Sequence, residues 1–208
     1  MIHIHIDTLP LIAILRGIEP EEAVPVGEAL FLAGFRCLEV PLNSPCALDS
    51  IGRLADRFGD EMLVGAGTVL SVEAVDQVCG AGGRIIISPN TNPEVIERAK
   101  AQGLISLPGV FTPTEAFIAL ASGADGLKLF PAEIAGPSGL RALKAVLPAG
   151  TAVYAVGGVD AGSMAGWRDA GADGFGLGSA LFRPGRPVEQ IGSLAQSFVA
   201  AWRSRTGQ

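Results

Sequence analysis

The sequence has little charge and no long apolar segment. Charged residues are 17% of the 208 positions and hydrophobic residues 49%, a balance that excludes a disordered chain. The 15 basic residues are outnumbered by 21 acidic ones and form no cluster, so nucleic acid is not an expected partner. The longest uncharged segment, Ala145–Val159, contains proline and glycine and is shorter than the ~20 apolar residues that a membrane span needs. No membrane partner is expected either.

Cysteine and histidine are also scarce. The three cysteines, Cys37, Cys46 and Cys79, match no zinc-binding spacing, and no secretory signal opens the chain. Free thiols in a reducing cytoplasm are therefore expected. The two histidines, His3 and His5, would share one face of a strand. A metal pair is conceivable there, but a polar surface on a terminal extension is the favoured interpretation.

Eight short apolar runs follow one another at intervals of 20 to 27 residues. Their lengths and their content of Ile, Val and Leu are typical of strands that are buried on both faces. The runs are Leu11–Leu15, Phe35–Val40, Met62–Val64, Arg84–Ile87, Leu104–Leu107, Gly126–Phe130, Ala152–Val156 and Gly174–Leu177.

The segments between these runs have helical periodicity and recognisable ends. Ser71, Asn92 and Thr112 are candidate N-caps, and glycine follows several of the helices just before the next strand. The chain is therefore predicted to be one domain, residues 1–208, folded as a single (β/α)8 TIM barrel, with a doubly wound open sheet as the alternative. An open sheet would rarely need eight such even repeats.

Two charged residues of the predicted strands, Lys128 and Glu39, are expected to point into the lumen of this barrel. Alternation along a strand directs Leu127 and Leu129 to the helices and Lys128 into the lumen, close to the strand ends that form the active sites of such barrels. The same alternation directs Glu39 inward. A buried lysine with a lowered pKa is a nucleophile toward carbonyl groups, but a structural ion pair with Glu39 would have the same geometry. The residues alone leave both interpretations open.

Glycine-rich turns follow the last two predicted strands. Gly157 and Gly158 end the seventh strand, and Gly178 and Ser179 end the eighth. The corresponding loops, with a short helix N-terminus, form the usual phosphate site of these barrels, because glycine lets backbone N–H groups approach an anion. Tight turns without a ligand are the alternative. Together with Lys128, the turns favour a phosphorylated carbonyl substrate.

The ordered motifs of the chain resemble the keto-deoxy-phosphosugar-acid aldolase family, and the resemblance extends over nearly the whole chain. The motifs are Leu9-Pro-Leu-Ile-Ala-Ile-Leu-Arg-Gly-Ile18, Glu39-Val-Pro-Leu-Asn-Ser-Pro45, Gly65-Ala-Gly-Thr-Val69, Ser88-Pro-Asn90, Leu127-Lys-Leu-Phe-Pro131, Ala155-Val-Gly-Gly158 and Gly176-Leu-Gly-Ser179.

This resemblance implies a class I aldolase that forms pyruvate and D-glyceraldehyde 3-phosphate from a phosphorylated keto-deoxy sugar acid. Lys128 would form the Schiff base and Glu39 would move protons. Arg16 and Thr68 would bind the carboxylate end of the substrate, and Gly157, Gly158, Gly178 and Ser179 would bind the phosphate. The protonated imine accepts the electrons, so no metal or organic cofactor is expected. Members of the family are homotrimers, which we expect of this chain as well.

The resemblance also bears on substrate stereochemistry. The segment Pro41-Leu42-Asn43-Ser44 is similar to the galactonate branch of the family, whereas Pro131-Ala132-Glu133 is closer to the gluconate branch. Val156 stands where gluconate-type relatives usually have a threonine. A valine has no hydroxyl to meet the C4 oxygen, so the galactonate epimer is the expected substrate and the gluconate epimer the alternative.

Two other functions remain possible from the sequence. Another phosphosugar barrel enzyme, such as an epimerase, would need acid–base carboxylates or metal ligands at the strand ends, where only Glu39 is found. A non-catalytic phosphosugar-binding barrel would keep the glycine turns but would have no need of a lumen lysine beside a glutamate.

Overall fold

The computed structural model describes residues 9–204, so the interpretation of His3 and His5 lies outside the described residues. Within this range nine parallel strands form one sheet in the order β5-β4-β3-β2-β1-β9-β8-β7-β6. The strands are β1 (Leu11–Ile14), β2 (Cys37–Pro41), β3 (Leu63–Gly67), β4 (Ile85–Ile87), β5 (Ile105–Leu107), β6 (Gly109–Val110), β7 (Leu127–Leu129), β8 (Val153–Val156) and β9 (Gly174–Leu177).

The ninth strand is the continuation of the fifth predicted run. Only Pro108 separates β5 from β6, and proline has no N–H group to donate to a ladder. β5 pairs with β4, whereas β6 pairs with β7. The two ends of the sheet are therefore joined through one interrupted strand, and the structure confirms the predicted (β/α)8 barrel. The apolar run that predicts this strand ends at Leu107, before the proline, so β6 is not predicted from the sequence.

Eight helices alternate with the strands among the described residues. They are α1 (Pro20–Ala33), α2 (Ala47–Phe58), α3 (Val72–Gly80), α4 (Pro93–Ala101), α5 (Pro113–Ala121), α6 (Ala132–Lys144), α7 (Met164–Asp169) and α8 (Val188–Arg203). α8 packs against α1 and so closes the outer ring of helices. No helix in residues 9–204 combines the length and the hydropathy that crossing a bilayer requires.

The predicted helix ends are confirmed. The hydroxyl groups of Ser71 and Thr112 accept from the N–H groups three residues on, and Asn92 accepts from the N–H group of Glu94. Each bond satisfies a donor that the first turn of a helix leaves unpaired. At the other end of α1, Gly34 has a φ of 112°, a left-handed conformation that glycine adopts without strain.

The barrel has two apolar layers, and they confirm the predicted alternation along the strands. Leu127 and Leu129 lie in the large core between the strands and the helices. A smaller cluster fills the lumen and includes Cys37 from β2 and Tyr154 from β8. Burial on both faces explains why the strands read as continuous apolar runs rather than as alternating ones.

Candidate active site

A cavity of about 310 Å³ opens at the carboxyl ends of the strands. Arg16 lines it from the segment after β1, Lys128 from β7, and Val156 from the end of β8. The predicted glycines and Ser179 also line it. Strand ends that are distant in sequence meet here because parallel strands all point the same way in a barrel. Most of the predicted site residues are thus brought together.

Lys128 reaches this cavity from the barrel lumen. Its side chain is 5% exposed, and its Nζ lies 4.8 Å from the centroid of the Phe130 ring. Among the described residues no carboxylate lies within 4 Å of this Nζ, so Lys128 and Glu39 are not in direct contact as an ion pair. Burial lowers the pKa of Lys128, an effect that Glu39 opposes and Arg16 reinforces. A lowered pKa makes the neutral, nucleophilic amine more abundant near neutral pH.

Glu39 is the most deeply buried charged residue of the site. It is 1% exposed, and its Oε2 atom has no hydrogen-bond partner within residues 9–204. Burial raises the pKa of Glu39 from its usual 4.5 to about 7, although Lys128, Arg16 and the backbone of Gly67 act in the opposite direction. A Cβ atom at position 67 would overlap the Glu39 carboxylate, so any other residue there would force this carboxylate to move. A carboxyl group with a pKa near 7 can both donate and accept a proton at neutral pH.

A second, smaller pocket of about 10 Å³ lies deeper in the lumen. It borders Glu39 and Lys128, with Tyr154, Val156 and Gly176 on its other sides. This volume is close to what one water molecule occupies. Residues 9–204 contain no cluster of histidine, cysteine, aspartate or glutamate side chains suited to holding a metal ion. The three cysteines are free thiols.

Arg16 is held in place by the segment after β2. Its Nη1 donates to the Oδ1 of Asn43 at 2.6 Å, and the N–H of the next residue, Gly17, donates to the Oγ of Ser44 at 2.9 Å. From the sequence, Asn43 and Ser44 indicate only a similarity to the galactonate branch. The structure shows that they join two neighbouring strand ends and orient the guanidinium group.

Thr68 lies at the end of β3 and does not line the large cavity. It is half-buried and has a φ of 57°, a conformation that residues with a side chain seldom adopt. It directly follows Gly67, whose backbone approaches Glu39. Its predicted contact with the substrate carboxylate stays a prediction.

The turns after β8 and β9 present unpaired donors. In the described part of the chain, the backbone N–H groups of Gly157, Gly158, Gly178, Ser179 and Ala180 donate to no protein acceptor. The two glycines after β8 both have positive φ, 111° and 68°, and a Cβ atom on either would collide with Glu133. Unpaired N–H groups that converge on one cavity are typical of an anion site.

Sequence reasoning missed half of the residues that line the cavity, and three of these have charged or aromatic side chains. Phe130 covers the amine of Lys128, Asp160 lies beyond the paired glycines, and Arg183 lies beyond Ser179. Phe130 follows β7 directly, so its position at a strand end could have predicted that it lines the site. Asp160 and Arg183 lie farther along their loops, where strand alternation no longer predicts direction.

Comparison with known proteins finds aldolases of one family. The family model for KDPG and KHG aldolase matches residues 2–186. The 2-dehydro-3-deoxy-6-phosphogalactonate aldolase of Escherichia coli K12 is 51% identical over 94% of this chain and 95% of its own. A solved structure described as native KDPGal shares 51% identity, with a TM-score of 0.93 over 94% of this chain and 95% of that one.

A more distant structure is informative about chemistry. The KDPG aldolase of Legionella pneumophila, solved with pyruvate captured as a covalent carbinolamine intermediate, is 27% identical, with a TM-score of 0.83 over 95% of this chain and 98% of that one. The fold, the arrangement of the cavity and a family model that covers most of the chain agree. The chain belongs to the KDPG and KHG aldolase family.

Proposed function

We propose that this protein is a class I aldolase that cleaves 2-dehydro-3-deoxy-6-phospho-D-galactonate reversibly to pyruvate and D-glyceraldehyde 3-phosphate. The observation that carries this proposal is the buried Lys128, which reaches a cavity between a guanidinium group and a set of unpaired N–H groups. The relative that is named for this galactonate substrate is 51% identical. Cleavage of the gluconate epimer is the alternative.

The reaction begins with attack of the neutral Lys128 amine on the C2 carbonyl of the substrate. Loss of water from the carbinolamine gives a protonated imine. Removal of the proton from the C4 hydroxyl then breaks the C3–C4 bond, whose electrons move into the imine and give an enamine and D-glyceraldehyde 3-phosphate. Protonation of the enamine at C3 and hydrolysis of the imine release pyruvate and restore the lysine. The imine accepts the electrons in this sequence, so the proposal needs no cofactor.

Glu39 moves the protons in this proposal. The support is its position on the small lumen pocket that Lys128 also borders, together with a pKa near the working pH. Because this pocket has room for about one water molecule, we propose that protons pass between the carboxyl group and the reacting atoms through such a water.

The two ends of the substrate are bound by different groups. Arg16, oriented by Asn43, would bind the carboxylate through two hydrogen bonds, with Thr68 as its proposed companion. The unpaired N–H groups after β8 and β9 and the hydroxyl of Ser179 would bind the phosphate. We place the reaction in the cytoplasm, because three free thiols suit a reducing compartment.

Reduction with borohydride in the presence of pyruvate tests the proposed function directly. The borohydride reduces the imine to a stable amine, so the wild-type protein should gain one pyruvate-derived group on the peptide that contains Lys128, as read by mass spectrometry. Labelling of any other peptide, or none, contradicts the proposal.

Substrate stereochemistry is tested at Val156, which lines both the large cavity and the lumen pocket. We expect the wild type to have the higher kcat/KM for the galactonate epimer. Val156→Thr adds a hydroxyl group that can meet the C4 oxygen, so it should shift the epimer ratio toward gluconate by about 10-fold, as one additional hydrogen bond allows.

The matched control is Val159→Thr, the same change at another valine that lines the large cavity. It should leave the epimer ratio near the wild-type value. A wild type that prefers the gluconate epimer, or a ratio unmoved by Val156→Thr, contradicts this account of the pocket.

We also propose that the protein is a homotrimer. Its support in this structure is exposed apolar surface at and before α5, where Phe111, Phe117 and Ile118 are between 42% and 47% exposed. Sedimentation analysis should therefore give about three times the 21.3 kDa of one chain. A mass equal to that of one chain contradicts the proposal.

A further inference from the structure

The N–H groups and the hydroxyl group proposed to bind the phosphate carry no formal positive charge. A phosphate monoester carries about two negative charges at neutral pH. The proposed site for it contains neutral N–H groups and the Ser179 hydroxyl, while Asp160 lines the cavity and Glu133 lies against the paired glycines. Two carboxylates near a dianion are unfavourable unless a cation offsets them.

The helix termini do not supply this charge. After β8, the paired glycines are followed by α7, which has only six residues and begins at Met164. After β9, the chain makes a turn over residues 179–181, and the next helix begins only at Val188. The short helix N-terminus expected from other barrels is therefore missing from the turn after β9. A side chain is the remaining source of formal positive charge at this end of the cavity.

Arg183 is placed to supply it. It lines the cavity on the same side as Gly178 and Ser179, and its Nε donates to the carbonyl oxygen of Ser179 at 2.9 Å. This bond anchors the guanidinium group, while its Nη1 and Nη2 have no protein acceptor within residues 9–204. Lys128 and Arg16 are the other cations that line this cavity, and both already have roles at the carboxyl and carbonyl groups of the substrate.

We propose that Arg183 binds the phosphate group of the substrate and makes the enzyme selective for a phosphorylated aldehyde. This inference rests on the proposed function. The nearby Arg186 is a natural contrast, because its Nη1 donates to the carbonyl oxygens of Ala180 and Leu181 and the residue does not line the cavity. Arg186 stabilises the turn, whereas Arg183 presents two unpaired donor groups to the ligand.

The test compares pyruvate addition to D-glyceraldehyde 3-phosphate with pyruvate addition to D-glyceraldehyde. In Arg183→Ala, the ratio of the two kcat/KM values should fall by about 10- to 100-fold, the range expected when charged hydrogen bonds are lost. Most of this loss should come from a higher KM for the phosphorylated aldehyde. Arg183→Lys, which keeps the charge but not the planar fork, should recover part of the ratio.

Arg186→Ala is the matched control for loss of an arginine from the same loop, and it should change the ratio much less than Arg183→Ala does. An unchanged ratio in Arg183→Ala, or an equal fall in Arg186→Ala, overturns the assignment even when the wild type forms its borohydride-trapped adduct with pyruvate. Absence of that adduct from the wild type overturns the proposed function itself and this inference with it.

Discussion

Replacing Lys128 with alanine is expected to lower kcat for aldol cleavage by roughly 10⁴-fold or more, because the nucleophile that forms the imine is lost. The chain has only three lysines, Lys100, Lys128 and Lys144. Lys100 is paired with Asp125 and Lys144 with Asp173, both at 2.6 Å, and neither lines the cavity. No other lysine can therefore replace Lys128. Steady-state kinetics and borohydride trapping of the variant measure the loss.

Two further variants control this experiment. Lys144→Ala removes a lysine that does not line the cavity and should keep both turnover and trapping near the wild-type level. Lys128→Met keeps the apolar stem but removes a buried ammonium group, whose lowered pKa shows that burial disfavours its charge. This variant should be inactive and unfold at a Tm no lower than that of the wild type. Turnover in Lys128→Ala close to that of the wild type would exclude Lys128 as the nucleophile.

Replacing Glu39 with glutamine is expected to lower kcat by about 10²- to 10⁴-fold, the usual contribution of a general acid–base group. Glutamine keeps the shape of the side chain and its hydrogen bonds but cannot accept a proton. The imine with pyruvate should still form, slowly, so trapping at Lys128 should persist while turnover falls. Near-normal turnover would show that Glu39 acts only as a counter-ion.

Because the pKa of Glu39 is raised, Glu39→Gln should also differ from the wild type in the pH dependence of its stability. The folded carboxyl group, with a pKa of about 7, binds its proton more tightly than the unfolded one, with its usual 4.5. The folded wild type therefore loses stability as the pH rises through this window, and Glu39→Gln does not. The free energy of unfolding of Glu39→Gln should match that of the wild type below pH 4.5. Above pH 7 it should exceed that of the wild type by at most roughly 3 kcal/mol. Urea denaturation at several pH values measures it.

The sequence by itself determined the barrel, the order of strands and helices along the chain and the direction of Lys128 and Glu39. Each follows from local rules: eight repeats of similar length, buried strands that read as apolar runs, and alternation of successive side chains. The cap residues Ser71, Asn92 and Thr112 could be predicted for the same reason, because a cap bonds to a backbone group two or three residues away.

Only the tertiary structure decided how the strand ends meet. Asn43 and Arg16 are 27 residues apart, and their hydrogen bond exists because β1 and β2 are neighbours in the ring. The distance that separates Lys128 from Glu39 depends on the width of the barrel, and the raised pKa of Glu39 depends on everything that covers it. Arg183 lies on an irregular loop, where no periodicity indicates which way a side chain points. Local geometry therefore specifies the scaffold, whereas charge, burial and contact at the site arise from packing between distant segments.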